Sequence, residues 1–295
     1  MTVGPAHHGT ATHSDLTRSH ERPGPWPVTL AAKTRRTRLV SALAVVAAAT
    51  MFATFPAQAA PDSLTALPTA VEKVAYAALG DSYAAGFGGG DYDPNDLCVQ
   101  SPNGYAALLA SDPGQVHVAL RGCTGADTAD VLGQLDGLAK KTKFVTLTVG
   151  ANDLGLDAVI RECLPGASAA CDEAIANALS SAQNTLPNSL GETFAAVRTA
   201  APKAHVVVTG YPRLLDPLVP TSGPINAGVD LLNDVIAGVV AAAGPGFTYL
   251  DVTGEFTDHG IGSIDPWLVG PPALDAFHPN EVGYAVYADA IRAVR

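Results

Sequence analysis

The chain has 295 residues, a formal net charge of −11, 47% hydrophobic residues and 15% charged ones. That balance supplies apolar surface for a sizeable core and excludes a disordered polyelectrolyte. The negative charge repels nucleic acid and anionic headgroups at long range, so nucleic acid is not an expected partner.

The N-terminal part reads as export signal rather than fold. Lys33, Arg35, Arg36 and Arg38 form a basic cluster, residues 39–55 are almost wholly apolar, and Ala57-Gln58-Ala59 gives a small-x-small cleavage pattern. The apolar run is too short and Ala-rich for a membrane span, so no stable membrane insertion is expected. Arg35-Arg36 also loosely matches a twin-arginine signal. Residues 1–27 are polar and aperiodic, which makes Val28 or Leu30 a candidate initiator. Cleavage after Ala59 leaves 236 residues. Six of the 17 basic and two of the 28 acidic residues precede that point, so 11 and 26 remain, a net charge of −15. Residues 60–73 read as a tether and 74–295 as one domain, expected to be monomeric and extracellular.

Four cysteines, Cys98, Cys123, Cys163 and Cys171, follow the signal and read as two disulfides. Three pairings are possible. The local closures Cys98–Cys123 and Cys163–Cys171 are preferred, at roughly 3–4 and about 2.5 kcal/mol of loop entropy. No Cys/His cluster has zinc spacing. Residues 91–96 resemble the start of a calcium loop but lack its central Gly and closing Glu. No metal or cofactor is expected.

Residues 74–79 read as a buried strand ending at Gly80. The Gly-rich stretch 86–90 reads as a mobile loop near the mouth of a site, and 91–104 as loop. A short helix is expected over 105–110 and a strand over 116–120. Ala129, Leu132, Leu135 and Leu138 share one face of a helix over 128–138. A strand over 144–149 runs into Gly150. A long helical stretch covers 172–200, broken at Pro187. Strands over 205–210 and 247–252 flank a helix over 227–243, and a helix over 281–294 closes the chain. Nearly all-apolar strands alternating with helices indicate a parallel sheet covered on both faces. Ligands bind such sheets outside the carboxyl ends of the strands. Ser82 and Asn152 follow two of these strands directly, so both sit on the ligand edge.

Acyl transfer needs a nucleophile, a base and an oxyanion site, and four separated stretches supply them. Ser82 in Gly80-Asp81-Ser82-Tyr83 is the candidate nucleophile. His278 in Asp275-Ala276-Phe277-His278 is the candidate base. Asp275, three residues before it, is placed to orient the imidazole; a backbone carbonyl is the alternative, leaving a Ser-His dyad. The Ser82 amide, the Gly125 amide and the Asn152 side chain are candidate oxyanion donors. Asp153 reads as a helix cap or loop anchor. Of the other histidines after the signal, His117 and His205 read as structural, and His259 is a candidate for a place near the site. Phe87, Leu97, Trp267, Leu268 and Val269 are read as an apolar mouth, which favours an acyl chain over a sugar.

These blocks, in this order, resemble the SGNH (GDSL-type) hydrolase family, and are similar to its secreted actinobacterial lipases and esterases from Tyr76 to the C-terminus. The resemblance implies a flavodoxin-like three-layer α/β/α sandwich without a large lid. It implies a Ser82 nucleophile, a His278 base with Asp275 at the acid position, and Gly125 and Asn152 in the oxyanion hole. The implied activity is hydrolysis of carboxylic esters, with an ester or lipid as substrate. Phospholipase and acyltransferase chemistry use the same residues, and a non-catalytic binding protein is the rival from another class. Tyr83 stands where the family name has Leu, and no cysteine lies near Gly262 to form the third disulfide of the secreted relatives. The 253–272 loop is therefore expected to be less constrained.

Overall fold

The computed structural model describes residues 73–295. The export-signal assignment, and the tether apart from Lys73, lie outside the described residues. Five strands form one parallel sheet: β1 (Val74–Gly80), β2 (Gln115–Leu120), β3 (Phe144–Thr148), β4 (His205–Thr209) and β5 (Phe247–Leu250), in the order β2-β1-β3-β4-β5. Every residue of β3 is buried, as expected of a central strand covered on both sides. The register is continuous across the middle, with Ala77 opposite Val145 and Leu147 opposite Val208.

Nine helices accompany these strands among the described residues: α1 (Ser82–Ala85), α2 (Tyr105–Ala110), α3 (Thr128–Gln134), α4 (Ala151–Leu154), α5 (Leu156–Cys163), α6 (Ala169–Asn184), α7 (Leu186–Ala200), α8 (Ser222–Ala242) and α9 (Glu281–Val294). Helices α2 and α9 pack together, while α3, α7 and α8 pack in series and α5 and α6 against α8. The result is the three-layer arrangement expected. Helix α8 is long and apolar enough to cross a membrane, yet it buries Ile225, Val229, Leu232 and Ile236 in the core.

Local chemistry explains the boundaries. Pro187 lies in the first turn of α7, where its missing N–H is not needed, so the long helical stretch divides at Thr185. Helix α3 differs from expectation. It is capped by Asp127, ends at Gln134, and buries Thr128 and Val131, while Leu132 is exposed. The buried face lies one position out of phase with the expected face of Ala129 and Leu132. Helices α1, α4 and α5 were not expected. Each is at most eight residues long; α1 and α4 start after sharp strand-end turns and α5 at Gly155, which closes α4, and all are too short for a periodic signal.

The order of connections reverses between β1 and β3, which opens a crevice at their carboxyl ends. Gly80 ends β1 there with φ +124°, and a Cβ on it would lie 2.0 Å from the Thr148 carbonyl oxygen. Only glycine lets the two strand ends approach so closely. Below the crevice, buried hydroxyls pair with one another: Tyr76 with Thr146 at 2.8 Å, Tyr105 with Thr148 at 2.6 Å, and Thr148 with Thr209 at 2.7 Å.

The disulfides are Cys98–Cys123 and Cys163–Cys171, the two local closures. The first also serves the crevice. Cys98 O accepts from Thr124 N at 3.2 Å, and Cys123 N donates to Gly80 O at 3.0 Å, so the turn before α3 is pinned beside β1. Sequence separations of 25 and 8 predict losses of about 3.5 and 2.5 kcal/mol. Urea unfolding of Cys98→Ala/Cys123→Ala and of Cys163→Ala/Cys171→Ala is the check. The first pair is expected to be the less stable variant; the reverse order contradicts the loop-entropy account.

Candidate active site

Ser82 opens α1 immediately after β1. Asp81 caps this short helix, its Oδ1 accepting from Tyr83 N at 3.0 Å, and Gly86 closes it in the left-handed conformation. The Ser82 amide lies in the first turn, among the donors that have no partner within a helix. Asp81 is buried, and its Oδ2 accepts from the Tyr211 hydroxyl. Burial pushes its pKa up to about 7, against the opposing effect of the Tyr211 and backbone bonds. A raised carboxyl pKa stabilises the fold fully below the unfolded value of 3.8, and that contribution is lost as pH rises through about 7. The Tyr211 oxygen also accepts from Ala151 N at 3.4 Å, so it bridges the Ser82 turn to the Asn152 turn. Sequence reasoning missed this bridge.

His278 comes from the other end of the chain. Its Nε2 lies 2.7 Å from Ser82 Oγ. Its Nδ1 faces two backbone carbonyls, Ala276 O at 2.9 Å and Asp275 O at 3.2 Å. A carbonyl oxygen only accepts, so Nδ1 carries the proton of the neutral ring. Nε2 is then bare, and the Ser82 hydroxyl donates to it. The turn that presents these carbonyls holds Phe277 in the left-handed region, φ +69°. Three bonds keep it there: Tyr83 Oη to Phe277 O at 2.7 Å, Phe277 N to Val269 O at 2.8 Å, and Val269 N to His278 O at 2.8 Å.

In this turn the two polar groups of Asp275 part company. Its carbonyl meets Nδ1, while its carboxylate turns away and accepts from Tyr92 Oη at 2.8 Å. The imidazole is thus oriented by backbone, the alternative to a carboxylate on Nδ1.

The ring of His278 is cradled between Tyr83, with ring centroids 5.1 Å apart, and Phe87, edge-on at 5.0 Å. Burial lowers its pKa below the ordinary 6.5; the carbonyl bonds and the Asp275 charge act upward with less weight. The neutral base therefore persists to more acidic pH than a free histidine. Stability from burying the neutral ring is present above the unfolded pKa and is lost as pH falls through the folded one. The Gly-rich loop forms the back of this cradle. A Cβ on Gly88 would lie 2.3 Å from Pro279 O and 2.9 Å from His278 Cβ. Asn103 Nδ2 donates to Gly89 O at 2.8 Å and Tyr284 Oη to Phe87 O at 2.7 Å, so the loop expected to be mobile is instead tied down.

Asn152 lies in the first turn of α4. Its Nδ2 donates to Ala126 O at 2.7 Å, which leaves its second amide proton for another acceptor. Asp153 anchors the same junction, its carboxylate accepting from Thr128 N at 3.1 Å and Thr128 Oγ1 at 2.5 Å. Ser82, Asn152 and His278 all line one cleft of about 370 Å³. Gly125 is exposed in the turn that Asn152 grips, and it lines a neighbouring polar groove with Gln100, Arg121 and Gln134.

The walls of the cleft are apolar: Leu156, Ile160 and Leu164 from α5 and its cap, with Leu214 and Phe277 opposite. The expected mouth residues do not form it. Phe87 packs on His278, Leu97 is 95% exposed, Leu268 is buried, and Trp267 stacks on His259 at 3.4 Å. The signal for the true wall was the spacing 156, 160, 164 between Gly155 and Pro165. His259 bonds Asp265 O at 2.7 Å, His205 bonds Thr248 at 2.9 Å and His117 bonds Lys141 at 2.8 Å; none lines the cleft.

The loop lacking a third disulfide is held by other means. Leu215 bridges Ile261, Leu268 bridges Pro279, and Trp267 N donates to His259 O at 2.9 Å. The expected loss of constraint is offset by these backbone bonds.

Known proteins similar to this chain are lipases. The chain is 34% identical to a lipase of Streptomyces rimosus, over 84% of this chain and 94% of that one. It is 36% identical to lipase 1 of Streptomyces coelicolor, over 84% and 95%. Among solved structures, phospholipase A1 from Streptomyces albidoflavus NA297 superposes with a TM-score of 0.70 at 35% identity, over 75% of this chain and 99% of that one. The extracellular lipase of Streptomyces rimosus gives 0.69 at 35%, over 75% and 100%. Residues 78–286 match the GDSL-like lipase/acylhydrolase family. The chain belongs to that family and is a carboxylic ester hydrolase.

Proposed function

We propose that the protein is a secreted lipase or esterase that cleaves esters of apolar acyl chains through a Ser82 acyl-enzyme. The observation that carries this reading is the 2.7 Å contact between Ser82 Oγ and a bare His278 Nε2 at an apolar cleft. Ser82 Oγ attacks the ester carbonyl carbon as His278 Nε2 takes its proton. The carbonyl oxygen becomes an alkoxide, held by the Ser82 amide and the free amide proton of Asn152, with the amide of Gly125, from the adjoining groove, as the third donor that the family resemblance implies. His278 returns the proton to the leaving alcohol. Water then attacks the acyl-enzyme with His278 again as base, and the acid departs. The carbonyls on Nδ1 hold the imidazole in the tautomer this cycle needs.

Two disulfides favour an oxidising compartment. The cleft favours a neutral acyl ester. Its lining cation among the described residues, Arg161, is already paired with Asp157 at 3.4 Å and Glu162 at 3.0 Å. A phospholipid is the second reading, since a similar solved structure is a phospholipase A1. Release of fatty acid from dioctanoylglycerol and from dioctanoylphosphatidylcholine separates the two.

Labelling with a fluorophosphonate tests the nucleophile. The wild type is expected to carry the adduct on Ser82 and Ser82→Ala none; a folded wild type that fails to label removes the acyl-enzyme. Asn152→Ala is expected to lower kcat by about 10²–10³, read with p-nitrophenyl butyrate; an unchanged kcat takes Asn152 out of the oxyanion site. Ile160→Trp narrows the α5 wall. Its kcat/KM is expected to fall about tenfold on octanoyl and longer esters and to hold on acetyl esters. Equal losses on all chain lengths mean that α5 does not line the acyl path.

A further inference from the structure

Tyr92 lies outside all four sequence blocks, on the loop after the Gly-rich stretch. Its ring packs 5.6 Å from that of Phe87, which in turn lies edge-on to His278. Its hydroxyl takes part in two hydrogen bonds. Gly88 N–H can only donate, so the Tyr92 oxygen accepts there at 2.6 Å. The phenolic proton is then free for Asp275 Oδ2, 2.8 Å away. One phenol therefore joins the loop behind the imidazole to the residue whose carbonyl meets Nδ1.

We propose that Tyr92 is a positioning residue for the general base. By holding the Asp275 carboxylate it keeps the 275–276 carbonyls on Nδ1 of His278 and keeps the carboxylate itself off the ring. This rests on the reading of Ser82 as nucleophile and His278 as base.

The anchoring of the turn explains why a hydroxyl is needed at this point. Its later half is fixed by Tyr83 on Phe277 O and by the paired backbone bonds between Val269 and residues 277 and 278. Its earlier half is fixed by Ala276 N to Ala273 O at 3.2 Å and by Tyr92. Without the hydroxyl the carboxylate is free to swing toward the imidazole, three residues along. A charge there exchanges the neutral acceptor on Nδ1 for an anion, which favours the imidazolium. The other titratable groups around His278 are Tyr83 of α1, Tyr211 after β4, and Asp157 and Arg161 of α5, which pair with each other at the rim. Burial and the Asp275 bond raise the Tyr92 pKa, so the phenol stays protonated through neutral pH.

The test compares Tyr92→Phe, Asp275→Asn and the double variant with wild type, using p-nitrophenyl butyrate from acid to neutral pH. Tyr92→Phe is expected to lower kcat about tenfold with KM unchanged, because the base is displaced rather than the substrate. Its acidic limb in kcat/KM moves to higher pH. Asp275→Asn removes the charge, so its limb moves to lower pH. The double variant follows Asp275→Asn in its limb, since no carboxylate is left to swing onto the ring, and its kcat falls with that of Tyr92→Phe, since the amide oxygen that Asp275→Asn supplies had still accepted from Tyr92. A folded Tyr92→Phe with wild-type kcat and limb overturns the proposal, as does a double variant whose limb lies above that of Asp275→Asn. Should Tyr92→Phe not fold, Tyr92→Leu is read in its place, and wild-type kcat and limb in it overturn the proposal. Ser82→Ala and His278→Ala run beside these. Activity surviving in them sinks the catalytic reading, whereas loss in them with an unaltered Tyr92→Phe sinks only the role of Tyr92.

Discussion

The proton on Nδ1 of His278 decides everything above it. Two carbonyls, Ala276 O and Asp275 O, accept the hydrogen bond from that N–H, which leaves Nε2 bare and able to accept from Ser82. A carbonyl fixes the tautomer without contributing a full charge. In the proposed reaction the imidazolium is therefore less stabilised than it is against a carboxylate in contact. Burial between Tyr83 and Phe87 pushes the same way, toward a neutral ring. The Asp275 charge, held one hydrogen bond away by Tyr92, pushes back. The base is thus weak but always available near neutrality, a setting suited to a reaction in which it must give the proton back within one turnover.

Where that proton can be held depends on the sheet. The crevice between the ends of β1 and β3 places Ser82 and Asn152 with no intervening loop, so these two inherit the rigidity of paired strands. His278 has no strand beneath it. It comes from a long loop that is tied by bridges at Leu215–Ile261 and Leu268–Pro279, then ended by the Asn280 cap of α9. These backbone ties hold a loop that carries no disulfide. Asp81, Tyr211 and the Ala151 amide then join the two strand-end turns from below, through one buried hydroxyl.

The sheet was legible because its strands are short, nearly unbroken apolar runs ending in glycine: residues 74–80, 144–149 and 205–210 need little context. Ser82 and Asn152 were legible for the same reason, since each follows such a run. The orientation of His278 was not. Asp275 offers a carboxylate and a carbonyl at the same position, and a spacing of three residues admits either. The choice is made by Phe277 in the left-handed region and by Tyr92, 183 residues earlier, neither of which has a sequence signature. The acyl wall was missed for a different reason. Helix α5 has eight residues, and Asp157, Arg161 and Glu162 interrupt the stripe of Leu156, Ile160 and Leu164, with Asp157 and Arg161 lining the same cleft.

That hidden wall also gives the second disulfide a meaning beyond stability. Cys163 is the last residue of α5, and Leu164, its cap, lines the cleft. The bond from Cys163 to Cys171 joins the end of α5 to the first turn of α6. Helix α5 is too short to hold its own position by propensity. It is fixed by Leu156 and Val159 against the core at one end and by the cross-link at the other. The width of the acyl cleft is therefore set by a covalent bond on one side and by the Phe277 turn on the other. The same turn orients the base, so the geometry that admits an acyl chain and the geometry that activates Ser82 share one strained backbone segment.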